Sequence, residues 1–154
     1  MGGDLMMATP LLRNAAFWGA LILAAFNTLS AVAGGIGMLA TNGLGMPESS
    51  LDGSPFSSFL VPALVLIVIV GGTQALAAGL LIARRESALL WSAVAGIGML
   101  IWIFIETIVI RGGSWLQVLY FTTGTAQVVV VLALLGVVAW LPRRALRRAA
   151  VETD

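Results

Sequence analysis

The chain between Ser87 and Arg111 reads ALLWSAVAGIGMLIWIFIETIVI, and Glu106 is the only charged residue in this stretch. A transmembrane helix needs roughly 20 predominantly apolar residues, so this stretch is long enough to cross a bilayer once. It forms one of four such spans, which cover about residues 15–40, 59–83, 88–110 and 115–141. The sequence therefore predicts an all-α fold, a polytopic membrane protein with four transmembrane helices.

The composition of the whole chain agrees with a membrane protein. Of 154 residues, 60% are hydrophobic and 10% are charged, and the mean hydropathy is +1.05. A soluble domain carries about 25% charged residues. Lysine, histidine and cysteine are absent, which excludes disulfides, Cys/His metal sites, histidine-ligated haem and lysine Schiff bases. We therefore expect no metal site and no cofactor, and the net charge of +1 indicates no nucleic-acid partner.

Turn residues divide the chain into segments. We expect a cytoplasmic N-terminal segment at 1–14, a transmembrane domain at 15–141 with an external loop at 41–58, and a basic cytoplasmic tail at 142–154. Thr9-Pro10 and Ser54-Pro55 each have the pattern of an N-cap followed by a proline in the first helical position, so they predict helix starts. Because the later spans are joined by about four residues each, the sequence predicts an antiparallel bundle.

The arginines are distributed unequally between the two sides of this bundle. One side has Arg13, Arg84, Arg85, Arg143, Arg144, Arg147 and Arg148, and the other has Arg111. The positive-inside rule then predicts that both termini are cytoplasmic. The four C-terminal arginines are candidates for contact with anionic lipid, at about 1 kcal/mol each; a simple topology anchor is the alternative interpretation.

Small residues recur at every fourth position in the middle two spans. They are Gly71, Ala75 and Gly79 in span two and Ala88, Ser92 and Gly96 in span three. Such ridges let helix backbones approach closely inside a membrane. The pattern predicts that spans two and three are packing partners. A second glycine-rich stretch, residues 33–37, could serve span one in the same way.

Three amide side chains are predicted to lie at one depth in the bilayer. Counting about 1.5 Å per residue from the turns places Asn27, Gln74 and Gln127 near the midplane, alongside Gly98. An unpaired amide in hydrocarbon costs several kcal/mol, so we expect the three to face inward together. They are either structural hydrogen bonds or contacts to a ligand or ion.

Glu106 is an ionisable residue inside a predicted span, and such a residue is a functional candidate by default. Trp102 lies one helical turn away, and Tyr120 and Thr123 belong to a polar stripe in span four that could face it. Arg111 would pair with Glu106 only if the helix ended first. Glu106 has two open interpretations, a structural or headgroup-level side chain and a site that binds a ligand or proton.

Together these residues predict a narrow polar cleft entered from the outer face. Trp102 and Tyr120 would form its walls and the amides its floor. The external loop could cover it, with Met46, Phe56 and Phe59 as apolar anchors. The ligand- or proton-binding candidates are Asn27, Gln74, Trp102, Glu106, Arg111, Tyr120, Thr123 and Gln127. We identify no catalytic residue.

Several short motifs resemble those of small four-span membrane proteins from high-GC bacteria, which are loosely similar to the DoxX-like proteins. The motifs are Ser54-Pro55-Phe56, Phe59 to Pro62, Gly71-Gly72, Trp102 with Glu106, Ser114 to Gln117, and Tyr120-Phe121 with Gly124. The resemblance covers about residues 15–140. It implies a four-helix bundle in a bacterial inner membrane. Some DoxX relatives are associated with membrane oxidoreductase assemblies, but this chain has no redox ligand of its own.

Three classes of function follow. The first is a non-enzymatic accessory or binding subunit, held to a protein partner, a second copy or lipid through its helix faces. The second is a small proton- or cation-coupled carrier that uses Glu106. The third is a lipid-modifying enzyme; it is the weakest, because one carboxylate without histidine, metal or second acid offers little for proton transfer in both directions.

Overall fold

The structure is a computed structural model that describes residues 3–109 and 115–136, with side chains for 11–108 and 115–136. Four helices make up most of these ranges: α1 (Gly3–Thr41), α2 (Leu60–Ile82), α3 (Ala88–Val109) and α4 (Trp115–Leu134). A short 3₁₀ helix, Glu48–Leu51, lies in the loop after α1. Each of the four is long and apolar enough to cross a membrane, which confirms the predicted all-α class.

Two of the helices do not begin where the proline motifs predict. α1 starts at Gly3 and continues through Pro10, although a proline inside a helix removes one hydrogen bond and crowds the preceding turn. α2 starts at Leu60, beyond Pro55. The Ser54 Oγ instead accepts a hydrogen bond from the Phe56 N–H at 3.2 Å, which forms a local turn. Pro62 is the proline in the first turn of α2, where its missing N–H costs no helical hydrogen bond.

α2 contains a wide turn that the sequence pattern did not reveal. Val65–Gly71 is π-helical, between α-helical segments at Leu60–Leu64 and Gly72–Ile82. In a π-helix each hydrogen bond spans five residues. Where this segment ends, the Thr73 Oγ1 donates to the carbonyl oxygens of Ile69 at 2.7 Å and Val70 at 3.1 Å. The hydroxyl therefore helps to satisfy carbonyl groups at the change of helix type.

The helices form a closed arrangement in which each packs against its neighbours in the chain and α1 also packs against α4. α3 and α4 approach closely at Gly96 and Gly124. A Cβ added at position 96 would lie 2.9 Å from the Val128 side chain and 3.3 Å from the Gly124 carbonyl oxygen. The absence of a side chain at Gly96 is thus what permits this contact.

The small residues of the middle spans pack differently from the prediction. In α3, Ala88, Ser92 and Gly96 are buried, but Gly96 faces α4 and not α2. In α2, Gly71 lies against Val32 of α1, while Ala75 and Gly79 are exposed. Spans two and three are packing partners as predicted, but they do not meet through the two small-residue ridges, because small residues show where a helix can approach but not which neighbour does so.

The loop between α1 and α2 is packed onto the end of the bundle through a loop cluster. This cluster consists of Met38, Leu51, Phe59 and Ala63, with Met46 packed against it. Gly43 adopts a φ of 108° beside the Phe59 ring, and a Cβ there would lie 2.5 Å from a ring carbon. Glycine is required at this turn for both reasons. Of the three predicted anchors, Phe59 is buried, and Met46 and Phe56 are half-buried.

Candidate functional site

Two of the three predicted amides are bonded directly to each other across the bundle. The Asn27 Nδ2 in α1 donates to the Gln127 Oε1 in α4 at 3.2 Å. The Gln127 Nε2 in turn donates to the Ser92 carbonyl oxygen in α3 at 3.2 Å. Both side chains are 0% exposed. One short chain of hydrogen bonds therefore connects α1, α4 and α3 at the centre of the molecule.

The third amide is buried at the same level but makes a separate contact. The Gln74 Nε2 in α2 donates to the Ala95 carbonyl oxygen in α3 at 3.2 Å. The acceptors on α3 are the carbonyl oxygens of Ser92 and Ala95. The three amides therefore contact α3 about one turn before Gly98, not alongside Gly98 as predicted. We use the name amide layer for Asn27, Gln74 and Gln127.

The nearby threonines do not join the amide layer. Thr28 donates its hydroxyl to the Ala24 carbonyl oxygen at 2.8 Å, within its own helix. Thr73 also bonds within α2, and Thr125 is exposed. Within the described ranges, the Asn27 Oδ1, Gln74 Oε1 and Ser92 Oγ are buried without a hydrogen-bond partner. The layer is thus held by its amide N–H groups, while two of its three side-chain oxygens have no hydrogen-bond partner among the described residues.

The predicted cleft corresponds to a cavity at the loop end of the bundle, of about 260 Å³. All four helices and the loop contribute to its wall. Its lining residues are Ser30, Ala31, Gly34, Met38, Leu44, Met46, Leu66, Met99, Trp102, Ile103, Glu106, Leu116, Gln117 and Tyr120. We call this space the Glu106 cavity, because Glu106 is the one described lining residue that carries a carboxyl group.

Trp102, Glu106 and Tyr120 are brought together here, as the sequence predicts. Trp102 and Glu106 are one turn apart on α3, and Tyr120 lies opposite on α4. Trp102 is 8% exposed, and its indole Nε1 is buried without a partner among the described residues. Glu106 is half-buried. A carboxyl group, a phenol and an indole therefore border one cavity.

The cavity and the amide layer are separate, which corrects the prediction that the amides form the floor of the cleft. None of Asn27, Gln74 and Gln127 lines the cavity. Ala31 lies one turn from Asn27 along α1 and Met99 one turn from Ala95 along α3, and both are buried in the wall between the two regions. Apolar side chains occupy the intervening depth.

Thr123 is also absent from the cavity wall. Its hydroxyl donates to the Tyr120 carbonyl oxygen at 3.2 Å, so it bonds within its own helix. Arg111 lies outside the described residues, as do Arg143, Arg144, Arg147 and Arg148. Their predicted roles therefore stay predictions.

Several lining residues were missed from the sequence. Met38 and Met99 belong to the wall, but in an apolar span a methionine is not distinguishable from other core residues. Met46, a predicted anchor of the covering loop, lines the cavity too. Gln117 lines the cavity as well. In the sequence, Ser114 and Gln117 have the spacing of a capping box, which explains Gln117 without a ligand, although its spacing of three residues from Tyr120 places both on one face of a helix.

No family model matches this chain, and neither a curated protein nor a solved structure shows significant similarity to it. Its function therefore has to be argued from the geometry of its own residues.

The cavity is equipped for binding more than for a reaction. Its polar groups are one carboxyl, a phenol, an indole, an amide and the Ser30 hydroxyl, set among methionine and aliphatic side chains. Within the described ranges, no group of three or more His, Cys, Asp or Glu residues could hold a metal ion. Such a site can recognise a small molecule with an apolar body and one group that donates a hydrogen bond or carries positive charge.

Proposed function

We propose that this chain is a non-enzymatic integral membrane protein that binds a small, mainly apolar molecule or lipid as an accessory subunit of a larger membrane assembly. The observation that carries the proposal is the Glu106 cavity. It combines the one carboxyl group of a predicted span with Trp102 and Tyr120 in an enclosed space.

The size of the cavity limits what it holds. At about 260 Å³ it is slightly smaller than the range of roughly 300–1,000 Å³ that is typical of small-molecule sites. A ligand would therefore be small, or would insert only one group. The methionine side chains of the wall are flexible and adapt to irregular apolar shapes, so they would contact the apolar part while Glu106 contacts the polar group.

The proposed setting is a bacterial inner membrane, with both termini in the cytoplasm. The uneven distribution of arginines supports this orientation, and the motifs that resemble DoxX-like proteins support a bacterial origin. A partner within the membrane is part of the same proposal. The exposed Phe104 and Phe121, whose ring centroids are 6.2 Å apart in an edge-to-face pair, present an aromatic patch that fits another helix or a second copy.

Native mass spectrometry after gentle detergent extraction tests the binding function. We expect the wild-type protein to retain a small molecule or lipid in stoichiometric amount. Glu106→Gln should retain less of it, because an amide cannot carry the charge that pairs with a cationic group and is a weaker hydrogen-bond acceptor than a carboxylate. Glu86→Gln is the matched control, since Glu86 is exposed at the opposite end of the bundle.

Retention of the same molecule by both variants would remove Glu106 from the binding site. A wild-type protein that carries neither a small molecule nor a partner chain would contradict the proposed function as a whole.

A small proton- or cation-coupled carrier is the second candidate, favoured by the presence of Glu106 on a cavity wall within a span. Purified protein in vesicles should then take up a substrate in response to a pH gradient, and Glu106→Gln should abolish that uptake. The apolar wall between the cavity and the amide layer favours binding over transport, because a carrier needs access from both sides.

A further inference from the structure

A second cavity, of about 780 Å³, lies at the end of the bundle opposite the loop. Its polar lining consists of Arg13 and Asn14 near the start of α1 and Arg84 and Arg85 after α2. Phe17 and Leu89 contribute apolar walls. We call this space the arginine pocket. It is distinct from the Glu106 cavity, because the two have no lining residue in common.

Arg84 is directed into this region by its backbone and by an aromatic contact. Its φ of 49° is in the left-handed region, which residues with a Cβ rarely adopt. Its guanidinium carbon lies 5.2 Å from the centre of the Phe17 ring in α1, within the distance of a cation–π interaction. The ring therefore positions one arginine at the wall of the pocket without neutralising its charge.

The local charge favours an anion. Arg13, Arg84 and Arg85 contribute three positive charges to the pocket, and none of its described lining residues is a carboxylate. Guanidinium groups bind phosphate through paired hydrogen bonds. Three of them around one space would bind a phosphate more strongly than isolated surface arginines do.

The surroundings of the pocket indicate the level of lipid headgroups. Trp18 and Trp91, which adjoin this end of α1 and α3, are 50% and 36% exposed, and tryptophan is typical of the membrane interface. Leu12, Ile82 and Leu90 are exposed within a turn of the pocket residues. Acyl chains could lie against these apolar side chains while the headgroup contacts the arginines.

We propose that the arginine pocket binds the phosphate headgroup of an anionic phospholipid. Lipid binding in the arginine pocket does not depend on the ligand of the Glu106 cavity. An experiment can therefore contradict one of the two proposals and leave the other unaffected. Basic pockets between transmembrane helices are suited to anionic headgroups.

Titration of phosphatidylglycerol into the purified, delipidated protein, followed by native mass spectrometry, tests the proposal. The variant Arg84→Gln/Arg85→Gln should bind about fivefold more weakly for each arginine removed, since each contributes roughly 1 kcal/mol. Arg84→Lys/Arg85→Lys keeps both positive charges but removes the paired hydrogen bonds of the guanidinium groups, so it should also bind phosphatidylglycerol more weakly than the wild-type protein does. Wild-type affinity in this lysine variant would show only general electrostatic attraction and would overturn the pocket assignment.

Two further measurements keep the result interpretable. Phe17→Leu leaves every arginine in place and removes the ring beneath Arg84, so it should weaken phosphatidylglycerol binding; the unfolding transition in phosphatidylcholine bilayers measures separately any loss of packing against Ala20, Leu81 and Ala88. An unchanged affinity would contradict the positioning of Arg84. The second measurement is a competition between inorganic phosphate and phosphatidylglycerol. Phosphate should not compete at equal concentration, and competition would assign the pocket to a soluble phosphate instead of a lipid.

Discussion

The amide layer and the Glu106 cavity both place polar side chains inside an apolar bundle, but their surroundings differ. In the amide layer, the N–H groups of Asn27, Gln74 and Gln127 reach acceptors on other helices. In the cavity, Glu106 borders open space that is lined mainly by apolar side chains. Polar groups that neighbouring helices satisfy stabilise the bundle, whereas a polar group beside open space is available to a ligand.

The hydrogen bond from Gln127 to the Ser92 carbonyl oxygen requires α3 and α4 to lie close together. Gly96→Val should therefore have the largest effect on stability. The new side chain would collide with Val128 and the Gly124 backbone, and overpacking of this kind costs about 1–3 kcal/mol. The free energy of unfolding in mixed micelles, titrated with dodecyl sulfate, measures the loss. Gly98→Ala is the control, because nothing lies within 4 Å of a Cβ at that position. Similar losses for both variants would contradict the close approach.

The bond between Asn27 and Gln127 can be isolated by a double-mutant cycle. Each single change to leucine should cost about 1–2 kcal/mol, because it leaves a buried partner without its hydrogen bond. The coupling energy should be about 0.6–1.7 kcal/mol, the range for interhelical bonds in membranes. Asn27→Leu with Gln74→Leu provides the comparison, since these two side chains are not bonded to each other. Equal coupling in both cycles would mean that the direct bond contributes nothing.

A change at Glu106 should alter stability in the opposite direction. Glu106→Leu replaces a polar group of a span by an apolar one, so we expect the free energy of unfolding to rise by up to about 1 kcal/mol. The ligand retained by the wild-type protein should be lost at the same time. A decrease in stability as large as that of Gln127→Leu would place Glu106 among the structural polar residues, and the contrast between the two regions would disappear.

The smallest change in the free energy of unfolding is expected on removal of a hydroxyl that bonds only within its own helix. Thr73→Val removes the hydrogen bonds to Ile69 and Val70 at the end of the π-helical segment, and it should cost less than about 0.5 kcal/mol. Thr122→Val removes a bond of the same kind from the exposed face of α4, at 2.7 Å from the Val118 carbonyl oxygen. A larger loss for Thr73 than for Thr122 would measure how much the hydroxyl supports the wide turn.

The sequence predicts the helices and the inward orientation of the amides because both follow from simple physical limits. A run such as 88–110 is long and apolar enough to cross a membrane, and amides such as Gln74 would have no hydrogen-bond partner in lipid. The spacing of Trp102 and Glu106 also fixes their common face. These features are local, or they result from the cost of exposing a polar group to hydrocarbon.

Other features depend on which helices meet, and the sequence does not contain that information in readable form. Ala75 and Gly79 have the spacing of a packing ridge and are exposed all the same. Met99 separates the amide layer from the cavity, yet nothing in its span distinguishes it from its neighbours. Asn14 and Arg84 are far apart in the chain, and only the folded bundle brings them to one pocket.

The π-helical segment Val65–Gly71 sets the rotation of one half of α2 relative to the other. An ordinary helix turns by about 100° per residue, so a wide turn acts like a single inserted residue that shifts the phase of everything before it. Leu66 faces the Glu106 cavity and Ala63 the loop cluster, while Gln74, beyond the segment, faces α3. Deleting one residue within this segment would allow an ordinary α-helical turn in which both halves keep their present neighbours, whereas deleting one residue elsewhere in α2 would rotate one half relative to the other.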